Sequence, residues 1–379
     1  MSGFSTDNYR NVFAELGHTQ EEIDKRLEQI FQTMFYGSKS ERFYYPVGDD
    51  MGYITDTGNH DVRTEGMSYG MMMCVQLNKK DEFDRLWKWA KTYMWLPDGW
   101  NKGYFSWSNQ LDGTKNSEGP APDGEEYFAM ALFFAANRWG DGEGIFNYSK
   151  EARNILHECV HKGEDGKGEP MWEPSNKLIK FITNCDWSDP SYHLPHFYEL
   201  YALWANEEDQ TFWKEAAKAS RDYLKRACHP VTGLAAEYAE YDGTPHYGHQ
   251  EIFGRHDWFY SDAYRVAANL GLDYAWFAAD EWECECADKI QKFFCETVGN
   301  KDFKIYEIDG TVIDEIALHP VAIIATNAMA SLAAKGEYAK ECAELFWNTP
   351  LRTGDRRYYD NCLYLFAFMA LSGHYRIYK

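Results

Sequence analysis

Residues 65–77, EGMSYGMMMCVQL, are followed almost at once by residues 80–95, KDEFDRLWKWAKTYMW. The first stretch carries its one charge at the start and is otherwise apolar or small. The second is charged along one face and carries Phe, Leu and Trp along the other. A helix that is apolar all round is buried on all sides, whereas a helix with one apolar stripe keeps one face in water. The two stretches read as an inner helix and an outer helix packed beside it.

The pair recurs along the chain. Amphipathic, charged stretches lie at 19–35, 80–95, 148–162, 209–227, 279–296 and 337–347. Stretches nearly free of charge after their first turn lie at 65–77, 123–139, 190–205, 261–277, 319–334 and 357–373. Strand signals are weak and short. The strict alternation predicts an all-α protein: an (α/α)6 barrel of six inner and six outer helices. It would close where the first amphipathic helix meets the last buried one. Nothing reads as a linker or a low-complexity tract, so residues 1–379 are expected to form a single catalytic domain.

Composition narrows the function. The chain has 379 residues, 38 basic and 60 acidic, a net charge of −22. That balance argues against nucleic acid or an anionic membrane as partner, because phosphates need a positive surface. No apolar run reaches the ~18 residues that span a bilayer. The start, MSGFSTDNYRNVFAELG, lacks the basic-then-apolar pattern of a signal peptide, which predicts a cytoplasmic location. The nine cysteines show no redox or zinc spacing and read as reduced thiols. Aromatic residues make up 17% of the chain, and some, such as Trp107, fall in polar, glycine-rich segments. Flat rings beside polar groups suit the faces of sugars.

If the inner helices run parallel, their N-termini meet at one mouth. Gathered there are Asp61, Arg63 and Glu65; Asp123, Glu125 and Glu126; Asp189, Tyr192 and His193; Asp257, Asp262 and Arg265; His319; and Arg356 to Asp360, which include Tyr358 and Tyr359. Helix capping accounts for part of this acidity. It accounts less well for acids, tyrosines and arginines together at buried helix starts. Glu65 sits beside Gly66 and Ser68, small residues expected to leave its carboxyl accessible. With Asp123 and Asp262 it forms a set of carboxylates on different helices in an aromatic cleft. Such a set suits acetal hydrolysis, in which one acid must be protonated and one ionised. Crowding and apolar surroundings separate their pKa values. Phosphate-binding loops and HExxH are absent. Among the twelve histidines, His193 and His196 show the strongest metal-ligand spacing, and they read as packing and hydrogen-bonding residues. Met71, Met72 and Met73 read as core. No metal and no cofactor are implied.

The segment Asp61-Val62-Arg63-Thr64-Glu65-Gly66-Met67-Ser68-Tyr69-Gly70 resembles the signature of glycoside hydrolase family 8 around its catalytic Glu. Within that family the chain is similar to the reducing-end xylose-releasing exo-oligoxylanases. Tyr45 to Asp50, Pro120 to Phe128, Ser188 to Pro195, Leu318-His319-Pro320 and Arg356 to Asn361 carry this closer likeness. The resemblance implies an (α/α)6 barrel and hydrolysis with inversion, with xylo-oligosaccharide as substrate and no cofactor. It implies Glu65 as general acid, Asp262 as general base and Asp123 as the acid that binds and distorts the sugar at the cleaved bond. Tyr192 matches a tyrosine beside the nucleophilic water, and His319 matches the loop that closes the cleft past the leaving sugar. Arg63, Trp107, Tyr358 and Tyr359 are expected to bind substrate. Residues 243–257 align least well. Three other readings stay open at this point: an endo-acting family 8 glucanase, xylanase or chitosanase; a sugar epimerase on the same barrel; and a non-catalytic oligosaccharide-binding protein.

Overall fold

The computed structural model describes residues 2–247 and 256–379. After two short helices, α1 (Gly3–Thr6) and α2 (Val12–Glu15), an amphipathic helix and a buried one alternate six times. The pairs are α3 (Gln20–Tyr36) and α4 (Thr64–Gln76), α5 (Lys80–Trp89) and α6 (Pro122–Trp139), α7 (Tyr148–His161) and α8 (Pro195–Trp204). They continue with α9 (Gln210–Ala227) and α10 (Arg265–Phe277), α11 (Trp282–Lys292) and α12 (Pro320–Ala330), α13 (Tyr338–Asn348) and α14 (Arg357–Leu371). The buried helices touch in chain order, α4 to α6 and so on to α14, and α14 returns to α4. It also packs on α3. All residues of α14 are buried. One apolar core runs through all twelve helices, with Met71, Met72 and Met73 fully inside it.

Several boundaries depart from the periodicity. The stretch 190–205 is two pieces: a 3₁₀ turn at Pro190–Tyr192, then α8 from Pro195. Proline disfavours the helical conformation in the residue before it, and Leu194 accordingly leaves the helical region. The stretch 261–277 likewise opens with a 3₁₀ turn, Ser261–Tyr264, before α10. The stretches 80–95 and 279–296 end in π-helical turns, Ala90–Met94 and Phe293–Val298. The stretch 319–334 is regular only to Ala330. Apolar periodicity does not distinguish a tight or a wide turn from an α-turn, so it ran through all of these.

Among the described residues the strands form three two-stranded antiparallel ribbons: β1 (Tyr44–Val47) with β2 (Met51–Ile54), β3 (Val62–Arg63) with β4 (Ser108–Asn109), and β5 (Lys304–Tyr306) with β6 (Val312–Ile316). The β3–β4 pair has a positional role. It sets Val62 opposite Asn109 and Arg63 opposite Ser108, which fixes the start of α4 beside the connection that carries Trp107. The nine cysteines are all free thiols, and eight of them are buried.

The inner helices approach closely through small residues. At Gly271 on α10, a Cβ would lie 2.2 Å from the carbonyl oxygen of Met329 on α12, and backbone cannot swing aside. Gly271→Ala is expected to lower stability by about 1–3 kcal/mol, the usual cost of overpacking, read as a fall in the denaturation midpoint. An unchanged midpoint would show that α10 and α12 are not in fixed contact there.

Candidate active site

Arg265, at the start of α10, is buried and sits at the centre of the mouth. Its Nη1 donates to Glu65 Oε2 at 3.2 Å, to Asp123 Oδ2 at 3.1 Å and to Tyr69 Oη at 2.9 Å. Its Nη2 lies 3.4 Å from Asp262 Oδ1 and 3.8 Å from Asp189 Oδ2. The guanidinium also lies over the Tyr192 ring, 5.4 Å from its centroid. Four carboxylates, from four different segments of the chain, thus share one cation. The place a metal would take among them is filled by the guanidinium.

Their environments differ. Burial pushes the Glu65 carboxyl up; Arg265 opposes this, Asp123 and Asp262 add to it, and the group ends at about 8. Tyr358 Oη donates to Glu65 Oε1 at 2.8 Å. Burial also raises Asp123, to about 6, against the pull of Arg265. Asp189 is fully buried and is pushed up by burial and then by Asp262. Asp262 is the most open of the four, with 28% of its side chain exposed, so water reaches it.

The acids divide two cavities. One, of about 520 Å³, is lined by Trp107, Asp123, Tyr192, Glu237 and Tyr238. The other, of about 150 Å³, is lined by Leu318, His319, Arg356, Tyr358 and Tyr359. Asn59, Arg63, Glu65, Ser261 and Asp262 border both. Glu65, Asp123, Asp262, Tyr192, His319, Arg63, Trp107, Tyr358 and Tyr359 all line one or both of these cavities, whereas Glu125, Glu126 and His193 line neither. Arg63 is held by Asp61 at 3.0 Å and Asp56 at 3.4 Å, and lies over the Trp107 ring at 5.3 Å. His319, which lines the small cavity, is braced from behind. His319 Nδ1 is 2.7 Å from Asp360 Oδ2, which also accepts from Arg352 Nη1 at 2.5 Å. The other Asp360 oxygen accepts from the backbone N–H of Ala322 at 2.9 Å. A side chain on α14 thereby caps the first turn of α12, whose Pro320 has a fixed backbone angle.

Some sequence readings change here. Gly66 and Ser68 do not serve to expose the carboxyl. Ser68 is fully buried and donates to the carbonyl of Glu65 at 3.1 Å. At Gly66 a Cβ would lie 2.6 Å from Tyr358 Oη; its absence lets the tyrosine reach Glu65. Capping explains part of the acidity: Asp189 accepts from Ser191 N–H at 2.7 Å, while Glu65 and Asp123 stand in the first turns of α4 and α6, which have no side-chain cap bond. His193 bonds Ser188 and Ser220 at 2.9 and 2.8 Å. His196 packs against Phe197 and Trp276, and burial lowers the two to about 3 and 4. The role of Arg265 was missed; a buried basic residue one turn beyond Asp262 was the available signal. Also missed were Glu237, whose Oε1 accepts from Asp262 N–H at 3.4 Å, and His256, 2.6 Å from Glu237. Part of segment 243–257, residues 248–255, lies outside the described residues.

A family model for glycosyl hydrolases family 8 matches residues 47–373. The chain belongs to that family. This family 8 chain is 60% identical over 380 residues to a reducing end xylose-releasing exo-oligoxylanase of Halalkalibacterium halodurans, covering 99% of this chain and 95% of that one. It is 60% identical over 375 residues to the reducing-end xylose-releasing exo-oligoxylanase Rex8A of Paenibacillus barcinonensis, covering 99% and 98%. The structure of Rex8A complexed with xylose superposes with a TM-score of 0.98 at 59% identity over the whole of both chains.

Replacing Arg265 by Met would leave a cluster of buried carboxylates without its cation. Breaking a buried ion pair in this way costs about 3–5 kcal/mol. The carboxyls would then be pushed up further in the folded state, and stability held by their protonated forms is lost as pH rises through those values. The gap in thermal midpoint between wild type and Arg265→Met is expected to be large at pH 8 and to narrow towards pH 5. A gap independent of pH would assign Arg265 a packing role only.

Proposed function

We propose that this chain is an inverting glycoside hydrolase that releases xylose from the reducing end of β-1,4-xylo-oligosaccharides, built as one catalytic (α/α)6 barrel. The observation that carries it is the asymmetry of the cleft: the acids stand between a long chamber and a short one that ends at Leu318 and His319. The identity to exo-oligoxylanases over nearly the whole chain supports the same substrate. An endo-acting enzyme needs a cleft open at both ends, and an epimerase needs histidines where this mouth has acids. A non-catalytic binder has no use for a carboxyl kept protonated near neutrality beside one that is open to water.

In this reading the oligomer lies with its reducing-end xylose in the small chamber. Glu65 carries a proton below about pH 8 and gives it to the glycosidic oxygen as that bond breaks. Asp262 takes a proton from a water whose oxygen bonds to the anomeric carbon from the opposite face. In inverting enzymes acid and base stand about 6.5–9.5 Å apart to admit that water. Glu65 and Asp262 sit on different nitrogens of one guanidinium, an arrangement that holds them apart. Asp123 and Tyr192 face the sugar that gains the water, and Arg63 and Trp107 border its side of the cleft. Tyr358, Tyr359 and His319 enclose the leaving xylose. Asp360 bonds His319 at Nδ1, leaving Nε2 for the free anomeric hydroxyl, a group that an internal sugar lacks.

The acid role has a pH signature. A protonated Glu65 is required, so kcat/KM is expected to fall as pH rises through about 8. Glu65→Ala should cut turnover of xylotriose by at least about 10²-fold, the scale of general acid catalysis. It should cut turnover of xylobiosyl fluoride, whose leaving group needs little protonation, far less. Equal losses on both substrates would remove Glu65 from the acid role.

Direction and stereochemistry are tested together with xylotetraose carrying ¹⁸O at its reducing end. The label is expected first in monomeric xylose, and proton NMR should show the new anomeric centre as α. His319→Ala should weaken the preference for a free reducing end over an alditol. Early labelled xylobiose would overturn the exo reading, and a β product would overturn inversion.

A further inference from the structure

On the outer surface, the end of α7 and the start of α9 bring together two histidines and a buried aspartate. His157 and His161 are one helical turn apart, so their rings lie on one face, 4.4 Å between centroids. Asp209 precedes α9, where an aspartate ordinarily accepts from the free N–H groups of the first turn. Its side chain makes no such bond. It turns instead to the histidines: Oδ1 lies 2.6 Å from His161 Nε2 and Oδ2 lies 3.8 Å from His157 Nδ1. The aspartate side chain is only 2% exposed, yet Oδ2 has no hydrogen-bond partner. Burying a carboxylate oxygen without a partner is costly, and the one direction in which it points is the gap between the two rings.

We propose that His157, His161 and Asp209 form a binding site for a divalent transition-metal ion of the Zn²⁺ class, separate from the catalytic mouth. One ligand atom from each of the three residues lies within 4.8 Å of the others. An ion with nitrogen and oxygen ligands at about 2.0–2.2 Å fits among them after a small opening of the His161–Asp209 contact. Two imidazoles and one carboxylate suit Zn²⁺, Cu²⁺ or Ni²⁺ rather than Mg²⁺ or Ca²⁺, which take oxygen. The fourth position faces solvent on the His157 side, which is 48% exposed, and water completes it. A further partner is already in place. His161 Nδ1 is 2.7 Å from Glu164 Oε1, so the carboxylate orients the ring with Nε2 towards the ion. Such carboxylate–histidine pairs accompany most protein zinc sites. The His-x-x-x-His spacing at 157 and 161 is one that the sequence reading passed over in favour of His193 and His196. The site ties two outer helices together and touches none of the residues placed at the catalytic mouth, so its role is structural.

The test is titration of the metal-free enzyme with Zn²⁺, followed by calorimetry and by competition with a chromogenic chelator. One ion is expected to bind per chain and to raise the thermal midpoint. His157→Ala, at a half-exposed position that tolerates truncation, should weaken Zn²⁺ binding by more than about 100-fold. Glu164→Gln should weaken it about 10-fold, within the range for loss of such an orienting partner. Both variants should hydrolyse xylotriose at the wild-type rate. Co²⁺ in place of Zn²⁺ should give the visible absorption of a four-coordinate nitrogen–oxygen site, absent in His157→Ala. A wild-type enzyme that takes up no Zn²⁺, or a His157→Ala enzyme that binds it equally well, would overturn the proposal and leave the cluster as a hydrogen-bonded ion pair.

Discussion

The guanidinium of Arg265 is the contact on which the mouth of this molecule depends. Glu65, Asp123, Asp189 and Asp262 lie within 3.1–3.8 Å of it, and each arrives on a different segment of the chain. Without that cation four carboxylates, three of them largely buried, would repel one another. With it, one positive charge is still too little for four negative ones. The imbalance is settled by protons: burial and mutual repulsion keep a proton on Glu65 to about pH 8 and raise Asp123 and Asp189 as well. The same crowding that strains the site therefore supplies a carboxylic acid near neutral pH. Asp262 stands at the open edge of the cleft, with 28% of its side chain exposed.

The wall of the small chamber rests on a second carboxylate. Asp360 holds His319, accepts from Arg352 and caps α12 through Ala322. These three bonds together fix where the loop before Pro320 ends. A connection of that kind is ordinarily more mobile than the elements it joins. Here it is tied to α14, a helix with no exposed residue. Selectivity for a single leaving sugar needs such stiffness, because a wall that yields admits a second unit.

What the sequence disclosed, and what it hid, follows from the range of each interaction. The alternation of buried and amphipathic helices was legible because burial acts on every residue of a helix and leaves a period. The acids were legible because they stand at helix starts in long, specific motifs. The breaks at Leu194 and at the π-turns after Trp89 and Lys292 were hidden, since a change of one residue per turn leaves the apolar pattern nearly intact. Arg265 lay in plain view beside Asp262, but its charge has meaning only when residues two hundred positions away converge on it. Glu237 and His256 reach Asp262 from outside any periodic segment. Asp209 begins an amphipathic stretch without any motif to mark it, and its orientation towards His157 and His161 is a matter of tertiary structure.

Gly66 shows how far a local argument about a neighbour can mislead. Beside a carboxyl proposed as the acid, a small neighbour suggests access, yet the space that Gly66 leaves is filled by Tyr358. The hydroxyl there donates to one oxygen of Glu65, while Arg265 faces the other. Both oxygens are thus oriented before substrate arrives, and the acid is held in one rotamer at the border of the two chambers. A larger residue at 66 would not block the substrate. It would push the tyrosine away from Glu65 and remove a hydrogen bond that favours the ionised form, so the carboxyl would lose one of the two contacts that orient it and would hold its proton more tightly.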